Sequence, residues 1–417
     1  MDEQLQRWLR KRGVVKGLRN LQSRETPTVS PTSTKHEEAP LPGEVVKTAH
    51  GPAWVARHTY PPDQQHGAYR LGKPTTLAED VLALLSDEDL ALGPRPALLD
   101  TETTGLAGGA GTLVFLTGVG IWTEAGVELH QVFMRDPGEE AATMAYLDAL
   151  LADATALVTF NGRTFDLPLL ETRFMLQRRQ VRWDTLPHLD LLTVARRLWR
   201  DHFPSRSLSY LEEAVLDVHR SGDDMPGWMI PTAYRRYLQT GTTREIRRIF
   251  YHNEIDVLSM VTLLRHTALL VEAPQRLGPA AAEWVGLGHL YAAAGQREQA
   301  EAAWWRALDT EKLPEDLAAR LWRELGLHPK RAERWEAALE IWRRWARRQP
   351  HAVEPLVEQA KYFEWQALDL GKALEATQRA LGRLEKWPQG RKRRRELAAL
   401  RHRQERLLRK IDAAEQR

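Results

Sequence analysis

The chain has 417 residues, 59 Lys and Arg against 56 Asp and Glu, and no cysteine. That length suffices for two or three domains with sizeable cores, and the missing cysteines exclude disulfides, thiolate metal sites and thiol nucleophiles. No apolar run approaches the ~18 residues of a membrane span, and Met1-Asp2-Glu3-Gln4 is too polar for a secretory signal, so the sequence reads as a cytoplasmic protein with no membrane partner.

The net charge of +3 is unevenly spread: residues 1–24 carry +5, residues 391–417 carry +7, and the body between them carries −9. Residues 1–22 read as a basic helix with Leu5, Trp8 and Leu9 forming an apolar patch. Residues 23–43, rich in Ser, Thr, Pro and Glu with little to bury, read as a flexible linker. Short strand-like pieces such as Ala53-Trp54-Val55-Ala56 follow, then a helix over Leu77 to Leu85.

The run Leu98-Leu99-Asp100-Thr101-Glu102-Thr103-Thr104-Gly105-Leu106 then ends an apolar strand in two carboxylates. Side chains alternate along a strand, so Asp100 and Glu102 share one side. Two such acids repel unless a cation sits between them, and oxygen ligands suit Mg²⁺ or Mn²⁺. The glycine-rich stretch 105–112 lacks the Gly-Lys-Ser/Thr of a phosphate loop and leads into a strand, so it reads as a turn beside the acids.

Leu113 to Trp122 and Val127 to Phe133 read as a hairpin, residues around 144–151 as a helix, and Ala156 to Phe160 as another buried strand. Asn161-Gly162 makes a turn, and Asp166 falls at a helix start, where a cap is the commoner role for a lone Asp. Residues 188–200 read as a helix in which Asp190 is either a fifth acid of the site or, as the favoured role, a cap or arginine partner, and Asp223-Asp224 reads as a surface turn. On a helix from about Thr243 to Leu270, His252 and Asp256 are four residues apart and share a face. Brought together, Asp100, Glu102, Asp166 and Asp256 would hold two divalent cations, one activating water and the other stabilising a leaving oxygen in phosphodiester hydrolysis.

The Asp-x-Glu-Thr-Thr-Gly-Leu stretch, the Asn-x4-Asp element and the late-helix Asp resemble the DEDD, or DnaQ-like, 3′→5′ exonucleases of the ribonuclease H-like fold. His188-Leu189-Asp190-Leu191-Leu192, Arg196-Arg197-Leu198-Trp199, Leu208-Ser209-Tyr210-Leu211-Glu212 and His252-Asn253-Glu254-Ile255-Asp256 look most like the YprB-like branch, which carries a tetratricopeptide region. The resemblance implies an α/β ribonuclease H-like domain, a mixed central sheet flanked by helices, followed by an all-α helical-repeat domain. It implies that Asp100, Glu102, Asp166 and Asp256 bind two Mg²⁺ or Mn²⁺ ions and that the substrate is single-stranded DNA or RNA. It places Thr103, Thr104 and Leu106 at the terminal nucleotide, with Asn161 also on the substrate side. The main subclasses have His five or Tyr four residues before the last Asp; here His252 is four before and Tyr251 five before. The shared face favours His252 as the water-orienting residue, leaving Tyr251 as the second candidate and a substrate contact.

Trp284, Leu287, Gly288 and Tyr291, with Ala300, Trp304 and Ala307, follow the tetratricopeptide spacing, and Trp322, Leu325, Gly326, Ala338 and Trp342 repeat it 38 residues on. A looser third unit has Ala360, Phe363, Ala373, Thr377 and Ala380. The expected domains are therefore 44–272 for the exonuclease, 280–390 for the repeats and 391–417 for a basic capping helix, with a protein partner possible at the repeats. Two other classes fit the same residues: a tetratricopeptide adaptor whose nuclease fold only binds, and a structure-specific endonuclease.

Overall fold

The computed structural model describes residues 39–86, 90–105, 111–181, 183–310 and 313–416. The expected helix over 1–22, most of the linker and Leu106 lie outside these residues. Pro40 to Gly43, expected to be flexible, are instead pinned: Trp54 donates its indole N–H to Pro42 O (2.7 Å) and Arg247 donates to Pro40 O (2.7 Å).

The core is a seven-stranded mixed sheet. Its strands are β1 (Glu44–Thr48), β2 (Gly51–Tyr60), β5 (Pro96–Thr103), β6 (Val114–Thr123), β7 (Gly126–Phe133), β8 (Ala156–Thr159) and β9 (His188–Asp190), in spatial order 1-2-7-6-5-8-9. A separate small hairpin pairs β3 (Gln65–His66) with β4 (Tyr69–Arg70). The meander from β1 to β5 is antiparallel, whereas β5, β8 and β9 run parallel. Parallel strands need crossovers, and these are α2 (Glu140–Leu151), between β7 and β8, and α3 (Asp166–Leu176), between β8 and β9. α1 (Glu79–Leu85) precedes β5, and α4 (Leu191–Trp199) follows β9 directly. The stretch read as one helix over 188–200 therefore begins as an edge strand, because His188 to Asp190 complete β8.

α5 (Leu208–Leu211) passes into a π-helical turn over Glu212–Leu216, and α6 (Ile230–Thr240) leads to α7 (Arg244–Glu272), the long helix laid across the sheet. Two glycines of β6 permit its close approach. A Cβ on Gly118 would lie 2.2 Å from Asn253 Oδ1, and one on Gly120 would lie 2.7 Å from Val257 Cγ1. Gly118 pairs in register with Asp100, so the gap that admits α7 lies beside the paired acids.

The C-terminal region is all helical: α8 (Ala281–Ala293), α9 (Arg297–Asp309), α10 (Glu315–Arg331), α11 (Trp335–Arg348), α12 (Glu354–Trp365), α13 (Leu370–Glu385) and α14 (Arg391–Glu415). One packing event recurs 38 residues apart: Gly288 of α8 lies under Trp304 of α9, and Gly326 of α10 under Trp342 of α11. α14 buries Leu400 and Leu407, while Leu408 is exposed. Its basic face is only partly outward, because Arg403, Arg406 and Lys410 donate to the buried Glu364 of α12 (2.8, 2.7 and 2.8 Å). Burial raises the Glu364 carboxyl, but the cations outweigh it and hold it below its usual range.

Gly118→Ala is expected to lower stability by about 1–3 kcal/mol, the cost of an overpacked core. It is also expected to separate Asn253 from Asp100. Urea denaturation beside Gly111→Ala, where an added Cβ meets nothing within 4 Å, is the check.

Candidate active site

β5 carries Asp100 and Glu102 on its last turns of pleat, where the ladder with β6 shifts register between Glu102 and Thr103. Both side chains are only partly open to solvent. Asn253, fully buried on α7, donates from Nδ2 to Asp100 Oδ2 (2.8 Å). Asn253 is itself held at Oδ1 by Gln131 Nε2 (3.0 Å) from β7. The helix and the central strands thus fix one oxygen of Asp100.

Asp166 is buried at the first turn of α3, but it does not cap that helix. Its Oδ1 accepts the Thr101 backbone N–H (3.1 Å) and hydroxyl, so it ties α3 to the acidic strand. Asp190 is the cap: it accepts from the amides of Leu192 (3.0 Å), Asn161 (2.8 Å) and Arg163 (3.2 Å). Asn161 is thereby held at φ +68°, a left-handed conformation that Asn tolerates, while its Oδ1 accepts the Thr164 hydroxyl (2.9 Å).

Burial, followed by the neighbouring Asp256 and Asp166 charges, pushes Asp100 well above the usual carboxyl range. Burial and then Asp100 do the same to Glu102. Asp166 is pushed up by burial to about 6, against the opposing Thr101 hydrogen bonds. The four sequence-expected acids therefore share one electrostatic site, assembled from β5, α3 and α7.

Three residues of this site escaped the sequence reading. Arg220, in the loop after the π-helical turn, donates to Glu212 through Nε (2.6 Å) and Nη2 (2.7 Å). The same Nη2 also donates to Asp256 Oδ1. Glu212 is almost completely buried, so its charge requires this guanidinium. Asp224, expected on a surface turn, accepts from His252 Nδ1 (2.8 Å) and lies 3.5 Å from Arg220 Nη1. The signal for Arg220 is slight, since a lone arginine in a polar loop looks like any solvated one.

His252 Nδ1 lies 2.8 Å from Asp224 Oδ1 and 2.9 Å from Arg220 Nη1, while Nε2 is 3.5 Å from Asp256 Oδ2 and 3.9 Å from Glu102 Oε1. Burial lowers the imidazole pKa, but Asp224 and Asp256 outweigh it and raise it overall. Tyr251 is turned elsewhere: its hydroxyl accepts the Ser221 N–H (3.0 Å) and steadies the Arg220 loop. The Thr104 amide, expected at a nucleotide, is bonded to Leu113 O (3.0 Å), because β6 closes back onto the end of β5. Thr104 Oγ1 accepts from Leu113 N (2.9 Å), and the Thr103 hydroxyl donates to Gly105 O (2.8 Å).

The donor set is chemically suited to hard divalent cations: carboxylate oxygens on rigid elements, with Asp100 and Glu102 raised by burial and then by the neighbouring acids. In this conformation no group of three carboxylate or imidazole side chains among the described residues closes around a single ion position. Arg220 instead supplies the local positive charge at Asp256.

The fold agrees with sequence comparison. The RNase_H_2 family of the RNase_H superfamily matches residues 97–268, from the start of β5 to near the end of α7. The chain therefore belongs to the ribonuclease H superfamily and has its nuclease fold. The uncharacterized protein YprB of Bacillus subtilis (strain 168) is 32% identical over 334 residues, covering 77% of this chain and 78% of YprB. Among solved structures, the family B DNA polymerase of Pyrobaculum calidifontis aligns at 17% identity and a TM-score of 0.36, over 61% of this chain and 34% of the polymerase. The chain thus spans about a third of that polymerase. Among the described residues no helix is long and apolar enough to cross a membrane.

Two outcomes follow from the electrostatics. Arg220→Met leaves Glu212 buried and unpaired and is expected to cost about 3–5 kcal/mol in urea denaturation. The double variant with Glu212→Leu recovers most of that loss if the pairing is the cause. The native site also holds protons that the unfolded chain releases, so metal-free stability is expected to fall as pH rises from the ordinary carboxylate range past about 6. Thermal melts in chelator from pH 4 to 8 check the sign.

Proposed function

We propose that this chain is a metal-dependent 3′→5′ exonuclease that hydrolyses single-stranded DNA or RNA. The observation that carries the reading is the convergence of Asp100, Glu102, Asp166 and Asp256 in one electrostatic site. These four carboxylates would hold two Mg²⁺ or Mn²⁺ ions. When bound, the ions would supply activation of the attacking water and stabilisation of the leaving oxygen.

The protein's own groups account for orientation and proton handling. In the tautomer that gives the Nδ1 proton to Asp224, with Arg220 Nη1 2.9 Å from the same nitrogen, the lone pair of the neutral ring lies at Nε2, toward the acids. A proton taken there is stabilised by Asp256 and Glu102. Asn253 keeps Asp100 turned toward its partners, and the Thr101 bonds do the same for Asp166. His252 is therefore the water-orienting residue in this reading, and Tyr251 steadies the loop that carries Arg220.

Residues 44–272 form the nuclease domain in this proposal. The α8/α9, α10/α11 and α12/α13 pairs form tetratricopeptide-like repeats over 280–390, and α14 belongs to the basic cap over 391–417. The close Gly288–Trp304 and Gly326–Trp342 packing supports the repeat reading. The repeats offer a place for a protein partner, and the expected compartment is the cytoplasm. One observation favours a second reading, strand binding without turnover: the Arg220 guanidinium bonded to Asp256 puts a fixed positive charge on one of the four acids.

Asp100→Asn and Asp256→Asn are each expected to lower hydrolysis of 3′- or 5′-labelled oligonucleotides in Mn²⁺ by at least ~10³-fold, in line with groups that act as one catalytic unit. Stepwise mononucleotide products with wild type, none in EDTA, and retained binding by the variants support the exonuclease. Cleavage of a circular single strand would point to the endonuclease, and binding without any product to the second reading.

A further inference from the structure

A groove of about 800 Å³ lies where the nuclease fold meets the C-terminal helices. It is lined by Arg196, Arg197, Arg200, Arg206, Arg320 and Arg323, against which stand only the carboxylates Asp201 and Glu324. Its floor is set by a close crossing of α4 and α8: a Cβ on Gly286 would lie 2.1 Å from Leu198 O. Four of the cations have partners: Arg320 donates to Asp201 (2.8 Å), Arg323 to Glu354 (2.7 Å) and Arg206 to Phe203 O (2.7 Å), and Arg197 is also engaged. Arg196 and Arg200 are exposed and form no ion pair or side-chain hydrogen bond among the described residues. Unpaired guanidiniums one helical turn apart, in a body whose net charge is negative, mark a built anion-binding surface.

This groove lies on the side of the fold next to the carboxylate site, because Asp190 of an adjoining cleft is close enough to Asp166 for its charge to raise that carboxyl. Thr193 and Arg197 also line a smaller cleft of about 110 Å³, which includes Arg163, His188 and Asp190. Arg163 belongs to the loop that carries the chain from β8 into Asp166. A positively charged track therefore runs from the edge of the acidic site along α4 to α10.

We propose that this track holds the sugar-phosphate backbone of the single strand beyond the nucleotide being removed. The proposal rests on the exonuclease reading of the acidic site. The arginines contact phosphates and carry no sequence preference, and holding the distal strand keeps its end near the acids between successive cleavages. The groove is made jointly by α4 of the nuclease fold and α10 of the helical region, which gives the C-terminal helices a part in substrate binding.

The test is the Arg196→Glu/Arg200→Glu double variant of the full chain, with both changes on exposed positions and folding checked by its melting temperature. Fluorescence anisotropy in EDTA compares labelled strands of about 4 and about 16 nucleotides. The expected result is unchanged affinity for the short strand and at least ~10-fold weaker binding of the long one. The slope of log K against log salt for the long strand should become shallower by about 1.4, for two lost phosphate contacts. Mononucleotide release from the short strand in Mn²⁺ should match wild type. Equal affinity of variant and wild type for the long strand, or equal weakening at both lengths, would overturn the groove while leaving the exonuclease standing. A wild-type chain that neither bound nor cut either strand would overturn both.

Discussion

Four carboxylates gathered on rigid elements repel one another, and the rest of the nuclease fold is arranged around that cost. Asp100 and Glu102 share one side of β5, Asp166 is bonded to the residue between them, and Asp256 arrives from α7. Removing such groups from water without opposite charge is expensive. The protein meets the expense locally with an arginine whose guanidinium joins Asp256 to the buried Glu212, and with an imidazole poised between Asp224 and the acids. Burial first, and the neighbouring acids second, raise the Asp100 and Glu102 carboxyls despite that local positive charge.

Geometry enforces the gathering as firmly as charge opposes it. α7 reaches the strands because Gly118 and Gly120 leave room for Asn253 and Val257. Asn253 converts that contact into a hydrogen bond on Asp100, and Gln131 holds Asn253 in turn. A residue with a side chain at Gly118 would hold the helix off the sheet and with it His252 and Asp256. The packing of one helix and the chemistry of the site are consequently a single constraint.

Charge pairing recurs at the other end of the molecule with the signs exchanged. α14 is dense in arginine, yet three of its cations close on Glu364, a single buried carboxylate that anchors the helix. Net charge counted along the chain overstated how much of this helix faces outward. Two further exposed cations, Arg196 on α4 and Arg200 just past its end, face the groove shared with α10.

The sequence by itself determined the strand bearing Asp100 and Glu102, the hairpin after it, the helix start at Asp166, the shared face of His252 and Asp256, and the family. These rest on short-range periodicity and on motifs whose residues lie close together in the chain. Tertiary structure alone decided the edge strand at 188–190, the partnership of Arg220 with Glu212 and Asp256, the part of Asp224, the bonded Thr104 amide and the anchoring of α14. An arginine in a polar loop carries no periodic signal, and Glu364 looks like any helix surface acid. Their roles come from contacts between 8 and 46 residues away, which only the packed fold brings within hydrogen-bonding distance.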